Sequence, residues 1–325
     1  MQQTCSVFHD GERTVQARAG VSGEWLKRSQ GFVRSEMPQQ HRDFFENLQM
    51  VFLGLLDSAG RPWCVPALGP RGFMVSPTPD TLELHQAPVL SGELGLVRSP
   101  GASIGVLGID LTSRRRNRLN GRIQRASADG MTILVDQSYG NCPQYIQTRH
   151  LLPGQPGQDG LSVAGHRRGS VTDPEVRRII EAADTFFIAS RAAGPLDGGS
   201  AGVDASHRGG RPGFLGINGD GTLSFPDFSG NRFFNTLGNI ESDGRVGLFV
   251  PDFGTGGAIV LTGRGSIDWN PGRIRSFEGA ERIVDVMPEE IWHASAALPV
   301  IGTESGQWPG LAATGTWNEA RLTER

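Results

Sequence analysis

The residues best able to hold a ligand gather in one stretch, Asp227-Phe228-Ser229-Gly230-Asn231-Arg232-Phe233-Phe234-Asn235-Thr236-Leu237-Gly238-Asn239-Ile240. Read as a helix entered after Ser229, it sets Asn231, Asn235 and Asn239 on one polar line at i, i+4 and i+8. Arg232 and Thr236 stand beside that line, and Phe233, Leu237 and Ile240 face inward. Free backbone N–H groups at a helix start, joined by a guanidinium, are what a phosphate needs. The plainer reading makes Ser229 a cap and the asparagines a solvated face. A second stretch, Val203-Asp204-Ala205-Ser206-His207-Arg208-Gly209-Gly210-Arg211-Pro212-Gly213-Phe214, runs from a strand through a tight turn into the next strand. Gly209 and Gly210 let its backbone bend and approach a ligand, and Ser206 and Arg208 add donors; the plainer reading is a polar hairpin tip. A third, Arg114-Arg115-Arg116-Asn117-Arg118, has strand periodicity, with Arg114, Arg116 and Arg118 on one face and Arg115 and Asn117 on the other. Its plainer reading is a solvated strand face.

Other chemistries find little support. Cys5, Cys64 and Cys142 lie far apart and form no Cys-x-x-Cys pair, so neither a disulfide framework nor a zinc or iron–sulfur motif is expected. Cys142 has no histidine beside it and reads as structural. Gly254-Thr255-Gly256-Gly257 is too short and misplaced for a dinucleotide fingerprint, and no Gly-x-x-x-x-Gly-Lys-Ser/Thr loop occurs. With 31 basic against 34 acidic residues in 325, the chain lacks the charge excess of a dedicated nucleic-acid binder. Its longest apolar runs, such as 50–56, are far below the ~20 residues of a membrane span, and its first 20 residues carry no apolar signal core. A cytoplasmic protein is expected.

The polar stretches need a scaffold, and the chain builds one twice. Gly72-Phe73-Met74 matches Gly213-Phe214-Leu215, and Asp80-Thr81-Leu82-Glu83-Leu84 matches Gly221-Thr222-Leu223-Ser224-Phe225, both at an offset of 141. Ile104-Gly105-Val106-Leu107 matches Val246-Gly247-Leu248-Phe249, and Leu119-Asn120-Gly121-Arg122 matches Leu261-Thr262-Gly263-Arg264, both at 142. Upstream, Val51-Phe52-Leu53 pairs with Phe186-Phe187-Ile188 at 135 while Arg61-Pro62 pairs with Arg211-Pro212 at 150, so the second copy is expected to carry an insertion of 15 residues, placed in the glycine-rich stretch 192–202. Each copy opens with a short helix, 38–48 in the first and 173–183 in the second, where Thr172 can cap and Pro174 suits the first turn. Short turn-bounded strands follow, a second short helical segment interrupts them, and longer strands close the copy, a pattern that fits a small antiparallel barrel. Glycine and proline, 46 and 20 residues, suit many turns and short strands. The joint falls near 155–169, giving a first copy over 1–160 and a second over 161–325, with 302–325 as a loosely ordered tail.

Asp204-Ala205-Ser206-His207-Arg208-Gly209-Gly210-Arg211-Pro212-Gly213-Phe214, then Ser229-Gly230-Asn231-Arg232-Phe233-Phe234-Asn235-Thr236-Leu237-Gly238-Asn239-Ile240, Gly247-Leu248-Phe249-Val250-Pro251 and Leu261-Thr262-Gly263-Arg264-Gly265 together resemble the pyridoxamine 5′-phosphate oxidase-like family of FMN-binding split barrels. The resemblance extends to Arg114-Arg115-Arg116-Asn117-Arg118-Leu119-Asn120-Gly121 and Gln137-Ser138-Tyr139-Gly140-Asn141-Cys142-Pro143-Gln144-Tyr145-Ile146 in a tandem subgroup, similar to the front part of flavin and iron–sulfur reductases. It implies a mainly β fold of two tandem split barrels, with FMN in the groove between them. Carried over, the phosphate and ribityl contacts are Ser206, Arg208, Asn231, Arg232 and Asn235, and Arg116 or Asn117 reaches across to the flavin or an anionic substrate. His207 stands where relatives often have proline and reads as a solvated turn histidine. In the first copy Glu93 and Leu94 stand near the Asn231-Arg232 position, so one FMN per chain is expected, with Glu93 repelling a second phosphate.

The implied function is an FMN-dependent flavoprotein oxidoreductase acting on a small-molecule substrate or with a redox partner such as a separate reductase, and a homodimer is open to it. A true pyridoxamine 5′-phosphate oxidase is disfavoured, because the C-terminal substrate-binding segment of that enzyme finds no match. The alternative from another class is a cofactor carrier or haem-binding split barrel, which an axial histidine would mark.

Overall fold

Two helices precede either repeat: α1 (Asp10–Arg18) and α2 (Gly23–Gln30). The first repeat follows as α3 (Gln39–Asn47), β1 (Met50–Leu56), β2 (Pro62–Leu68), β3 (Met74–Val75), β4 (Thr81–Leu84), β5 (Ser103–Asp110), β6 (Arg115–Ala126), β7 (Met131–Asn141) and β8 (Thr148–Pro153). The second runs through β9 (His166–Arg168), α4 (Pro174–Ala182), β10 (Thr185–Arg191), β11 (Val203–Gly209), β12 (Gly216–Ile217), β13 (Leu223–Phe228), α5 (Asn235–Ser242), β14 (Arg245–Asp252), β15 (Gly257–Asp268), α6 (Pro271–Ser276) and β16 (Ala280–Ala294). It ends in β17 (Val300–Gly306), a 3-10 turn and α7 (Trp317–Thr323). This computed structural model describes residues 7–153, 165–193, 202–295, 297–298 and 300–323. The expected linker and most of the stretch 192–202 fall outside the described residues, but Phe52 faces Pro66 and Phe187 faces His207, so offsets of 135 and 141 make the insertion six residues rather than 15. Among those described, no helix is long and apolar enough to cross a membrane.

The molecule is mainly β, and its two large antiparallel sheets share one strand order. The first reads β2-β1-β5-β6-β7-β4-β3 and the second β11-β10-β14-β15-β16-β13-β12, which is the same sequence of partners repeat for repeat and is consistent with a split-barrel fold. Each sheet curls around its own apolar filling, the first on Phe45, Leu53, Ile104 and Ile133, the second on Phe186, Phe214, Phe225 and Leu248. The two then join back to back. Phe52 and Phe187, which are repeat equivalents, stack at 3.3 Å with their planes 11° apart, in the same apolar cluster as Phe249 and Val260. Such a pair adds about 1 kcal/mol beyond the area it buries.

Glycine makes this joint possible. A side chain on Gly105 of β5 would lie 2.6 Å from the Asp204 carbonyl carbon of β11, and one on Gly247 of β14 would lie 2.7 Å from Trp63 Cα of β2. These two glycines are equivalent in the repeat, so each sheet lets the other's backbone in at matching places.

Several expectations need correction. α4 begins one residue later than expected and Asp173, not Thr172, caps it, its carboxylate accepting from the Glu175 N–H at 3.0 Å. The first repeat has turns at 89–95 where a second helical segment was expected. The C-terminal segment is ordered through residue 323: β17 pairs with β8 of the first repeat, and buried Trp317 donates its indole N–H to the carbonyls of Phe214 and Ser224, each at 2.9 Å. That leaves 324–325 outside the described residues.

Candidate functional site

A groove, partly open to solvent, lies where the two repeats meet. The first repeat gives it Arg116 and Arg118 from β6 and the turn 141–145. The second gives Ser206, His207 and Arg208 from β11, the loop 229–234 and the start of α5. Gly209 is required here, because any side chain would overlap the Tyr145 carbonyl oxygen. Tyr145 stacks on Phe228 at 5.0 Å and donates its hydroxyl to the Ser229 carbonyl at 3.0 Å, so the first repeat closes over the second repeat's loop.

Positive charge dominates the walls. Four arginines line the groove, Arg116, Arg118, Arg208 and Arg232, against Asp227 and Glu281. Both carboxylates are held by Arg282, which donates to Asp227 Oδ2 through Nε at 2.9 Å and Nη2 at 2.7 Å, and to Glu281 at 2.6 Å. Arg208 reaches Asp227 only at 3.8 Å, and its Nε–H is buried without a partner. Among the described residues Arg116 has no carboxylate partner: Nε donates to the Cys142 carbonyl at 2.7 Å, and Nη1 to His207 Nδ1 at 3.2 Å. Burial, then the neighbouring Arg118 and Arg208, pull the Arg116 guanidinium down to about 9. The same forces, burial first, hold His207 well below the usual histidine range and hence neutral. Since Arg116 can only donate, His207 Nδ1 must accept, and its buried Nε2 is an N–H with no partner. The Thr236 hydroxyl is another buried group without a partner on the same wall.

The seven expected site residues do not all converge. Ser206, Arg208, Asn231, Arg232, Asn235 and Arg116 line the groove. Asn117 does not: it points to the opposite face of β6, near Gly140 and His41, where β-strand alternation puts it. The expected helix does not start after Ser229. Arg232 and Phe234 take left-handed φ of 57° and 60°, so α5 begins only at Asn235, and Asn231 leaves the polar line shared by Asn235 and Asn239. Tertiary contacts explain this. Phe233, between the two left-handed residues, is clamped by Phe8 at 5.5 Å, Tyr139 at 5.7 Å and Trp25 at 5.8 Å, and its carbonyl accepts from Gln16 at 3.1 Å. Asn231 keeps the loop tight by accepting from the Phe233 N–H at 3.1 Å, and Arg232 stands exposed at the rim.

Other readings change as well. His207 is not a solvated turn residue; it lies buried in β11, edge-on to Phe187 at 5.6 Å. Nor is the Arg114 to Arg118 run a solvated face: Arg118 is buried, donating to the Ala205 carbonyl at 2.8 Å and to Asn235 Oδ1 at 3.1 Å, and pairing with buried Asp204. Arg118 and Glu12, a buried partner of Asn235, were missed as site residues. At the pseudo-equivalent end of the joint, the positions matching Ser206, Arg208, Arg116 and Arg118 are Val65, Ala67, Ala258 and Val260, all fully buried. Aliphatic packing fills that end, while Glu93 lies exposed.

No protein family and no curated protein matches the chain. Among solved structures, HupZ of Group A Streptococcus is 14% identical with a TM-score of 0.27, over 42% of this chain and 96% of its own. A variant of HupZ is 14% identical with a TM-score of 0.28, over 37% and 98%. A Lactobacillus delbrueckii chain classed provisionally as a pyridoxamine 5′-phosphate oxidase is 15% identical with a TM-score of 0.23, over 33% and 95%. Likenesses this low carry no weight for function, and the fold stands on the chain's own strand order.

Proposed function

We propose that the groove holds FMN and that the protein is a flavoprotein oxidoreductase with one such site per chain. The observation that carries this reading is Arg116, a partly buried guanidinium with hydrogen-bond partners but no counter-ion among the described residues, flanked by Arg118 and Arg208. Such a cluster is costly in an empty groove and favourable around an anion. The unpartnered donors agree in sign, since the Arg208 Nε–H, the His207 Nε2–H and the Thr236 hydroxyl can all give a hydrogen bond to ligand oxygens. Ser206, Arg208, Arg116 and Asn231 would hold the cofactor, with Arg232 adding charge at the rim. When bound, FMN supplies the electron transfer, exchanged with a small-molecule substrate or a separate redox partner, while the chain supplies orientation and polarity.

The haem alternative fares worse. The hydrogen bond from Arg116 fixes the His207 tautomer and leaves no lone pair on Nε2 for an axial bond.

Titrating FMN fluorescence against the protein is expected to show saturable binding with one FMN per chain, because the pseudo-equivalent end is packed with Val65, Ala67, Ala258 and Val260. Absence of saturation at micromolar protein would end the proposal, and two FMN per chain would end the one-site claim. Arg232→Ala tests the rim. An exposed charge contributes about 1 kcal/mol or less, so FMN should weaken by less than about fivefold and riboflavin, which has no phosphate, should not change. Equal losses for both ligands would show that Arg232 does not meet the phosphate.

A further inference from the structure

Behind the groove wall lies a second polar cavity, lined by Glu12, Asp204, Asn120, Asn235 and His9 among others. Asn235 borders both spaces. Glu12 comes from α1, outside either repeat, and is 3% exposed. Its Oε2 accepts from the His9 backbone N–H at 2.8 Å, and its Oε1 accepts from Asn235 Nδ2. The other end of the Asn235 amide accepts from Arg118, which is paired with Asp204. The helix crossing that brings Glu12 here is tight. A side chain on Gly11 would overlap the Gly238 carbonyl oxygen, and one on Gly238 would lie 2.5 Å from Glu12 Cγ.

Two carboxylates therefore lie in one buried place, Asp204 paired with Arg118 and Glu12 linked to that guanidinium only through the Asn235 amide. The charged groups facing Glu12 are Asp204 from β11 and Arg118 from β6. His9 on α1 is neutral, its ring lowered by burial, and Tyr139 of β7 is raised by burial and also neutral. From α5 come only the amides of Asn235 and Asn239, and Asp136 of β7 lines the cavity. Asp204 and Asn120 line this cavity, and the buried Tyr139 hydroxyl stands beside Asn120. Burial, with Asp204 adding to it, pushes the Glu12 carboxyl up to about 8.

We propose that Glu12 is a positioning residue of the groove that works in its protonated form, holding Asn235 and sparing Arg118 a second negative charge, so that anion binding in the groove and proton binding at Glu12 reinforce each other. This rests on the reading of the groove as an anion site. Near neutral pH Glu12 keeps its proton with or without ligand, and affinity is flat. Above about 8 the free chain loses that proton, leaving an uncompensated charge behind Arg118. Affinity then falls as pH rises, by up to about tenfold per pH unit, and binding takes up a proton. A separate consequence needs no ligand. The Glu12 carboxyl titrates near 4.3 when unfolded and about 8 when folded, so between those values the folded chain binds a proton that the unfolded chain lacks. Stability should fall across that window and level off above it, relative to a chain with Glu12→Gln.

The test compares the native chain with Glu12→Gln in two measurements. FMN affinity across the range from about pH 7 to about pH 9 should drop at least about fivefold in the native chain, with proton uptake seen by calorimetry in buffers of different ionisation heat. In Glu12→Gln the fall should shrink to the about twofold that Arg116, pulled down to about 9, gives by about pH 9, at a weaker level because the amide nitrogen cannot accept from the His9 N–H. Melting without ligand should show the native chain losing stability against Glu12→Gln as pH rises from about 5 to about 8. Parallel melting curves would overturn the assignment of the proton to Glu12, whatever FMN does. Parallel FMN affinities, or native binding without proton uptake, would overturn the coupling. No FMN binding at any pH, with the melting gap still tracking pH, would fail the groove reading and leave the proton on Glu12 standing.

Discussion

The Arg116→Met chain is expected to melt at a higher temperature than the native chain when no ligand is present, and to bind FMN about thirtyfold more weakly. The two effects share one cause. Arg116 sits among Arg118 and Arg208 with no carboxylate partner among the described residues, and its guanidinium is pulled down to about 9. For a base whose folded value lies below its unfolded one, the destabilisation is fully present below about 9 and is relieved only as pH rises further. Near neutrality the native chain therefore bears all of it. Methionine keeps an unbranched stem of similar length and removes the charge. What it gives up is two hydrogen bonds, to the Cys142 carbonyl and to His207 Nδ1, each contributing about 1 kcal/mol. An unpaired, partly desolvated cation beside two others costs more than that. Saturating FMN should reverse the order of the two melting temperatures, since only the native chain gains the contact. If Arg116→Met melts lower without ligand, the guanidinium is structural and the case for an anion loses its main support.

That pair of signs also separates what could be read in the sequence from what could not. The repeat offset of 141 to 142 carried the topology, and the structure returns the same strand order twice. Ser206, Arg208 and Arg116 were legible as ligand-facing candidates because donors and glycines stood together. Asn117 was not separable from Arg116, because β6 carries polar residues on both faces and strand alternation alone does not say which face meets the groove. The late start of α5 has a nonlocal cause: Phe233 is held by Phe8, Trp25 and Tyr139, far away in the chain, and that packing overrides the helical pattern of the loop. Glu12 had no signal beyond its role in the first turn of α1, where its carboxylate reaches back to the His9 N–H as a capping box does. Its link to Asn235 exists only because Gly11 and Gly238 let two helices touch.

Gly105→Ala and Gly247→Ala are expected to destabilise the chain alike, by about 3 kcal/mol or more each, yet only the first should weaken FMN strongly, by about tenfold. The two glycines occupy equivalent places in β5 and β14, and in each a methyl group would meet the backbone of the opposite sheet. At Gly105 the nearest atoms are the Asp204 carbonyl carbon at 2.6 Å and the Ala205 nitrogen at 2.7 Å; at Gly247 they include Trp63 Cα at 2.7 Å. Backbone cannot rotate aside as a side chain can, so strands β11 or β2 must shift and the stacked Phe52 and Phe187 must loosen. The consequences then diverge, because the two ends of the joint differ in chemistry. Moving Asp204 and Ala205 disturbs two of the three groups that hold Arg118, and it displaces Ser206 and Arg208 immediately after them. Moving Pro62 and Trp63 disturbs the end packed with Val65, Ala67, Ala258 and Val260, where aliphatic side chains leave no ligand to lose. Denaturant melts give the stability arm and FMN titration well below the melting temperature gives the other. Equal loss of FMN in both variants would mean that the joint moves as one body and that the groove's chemistry does not reside at the β11 end.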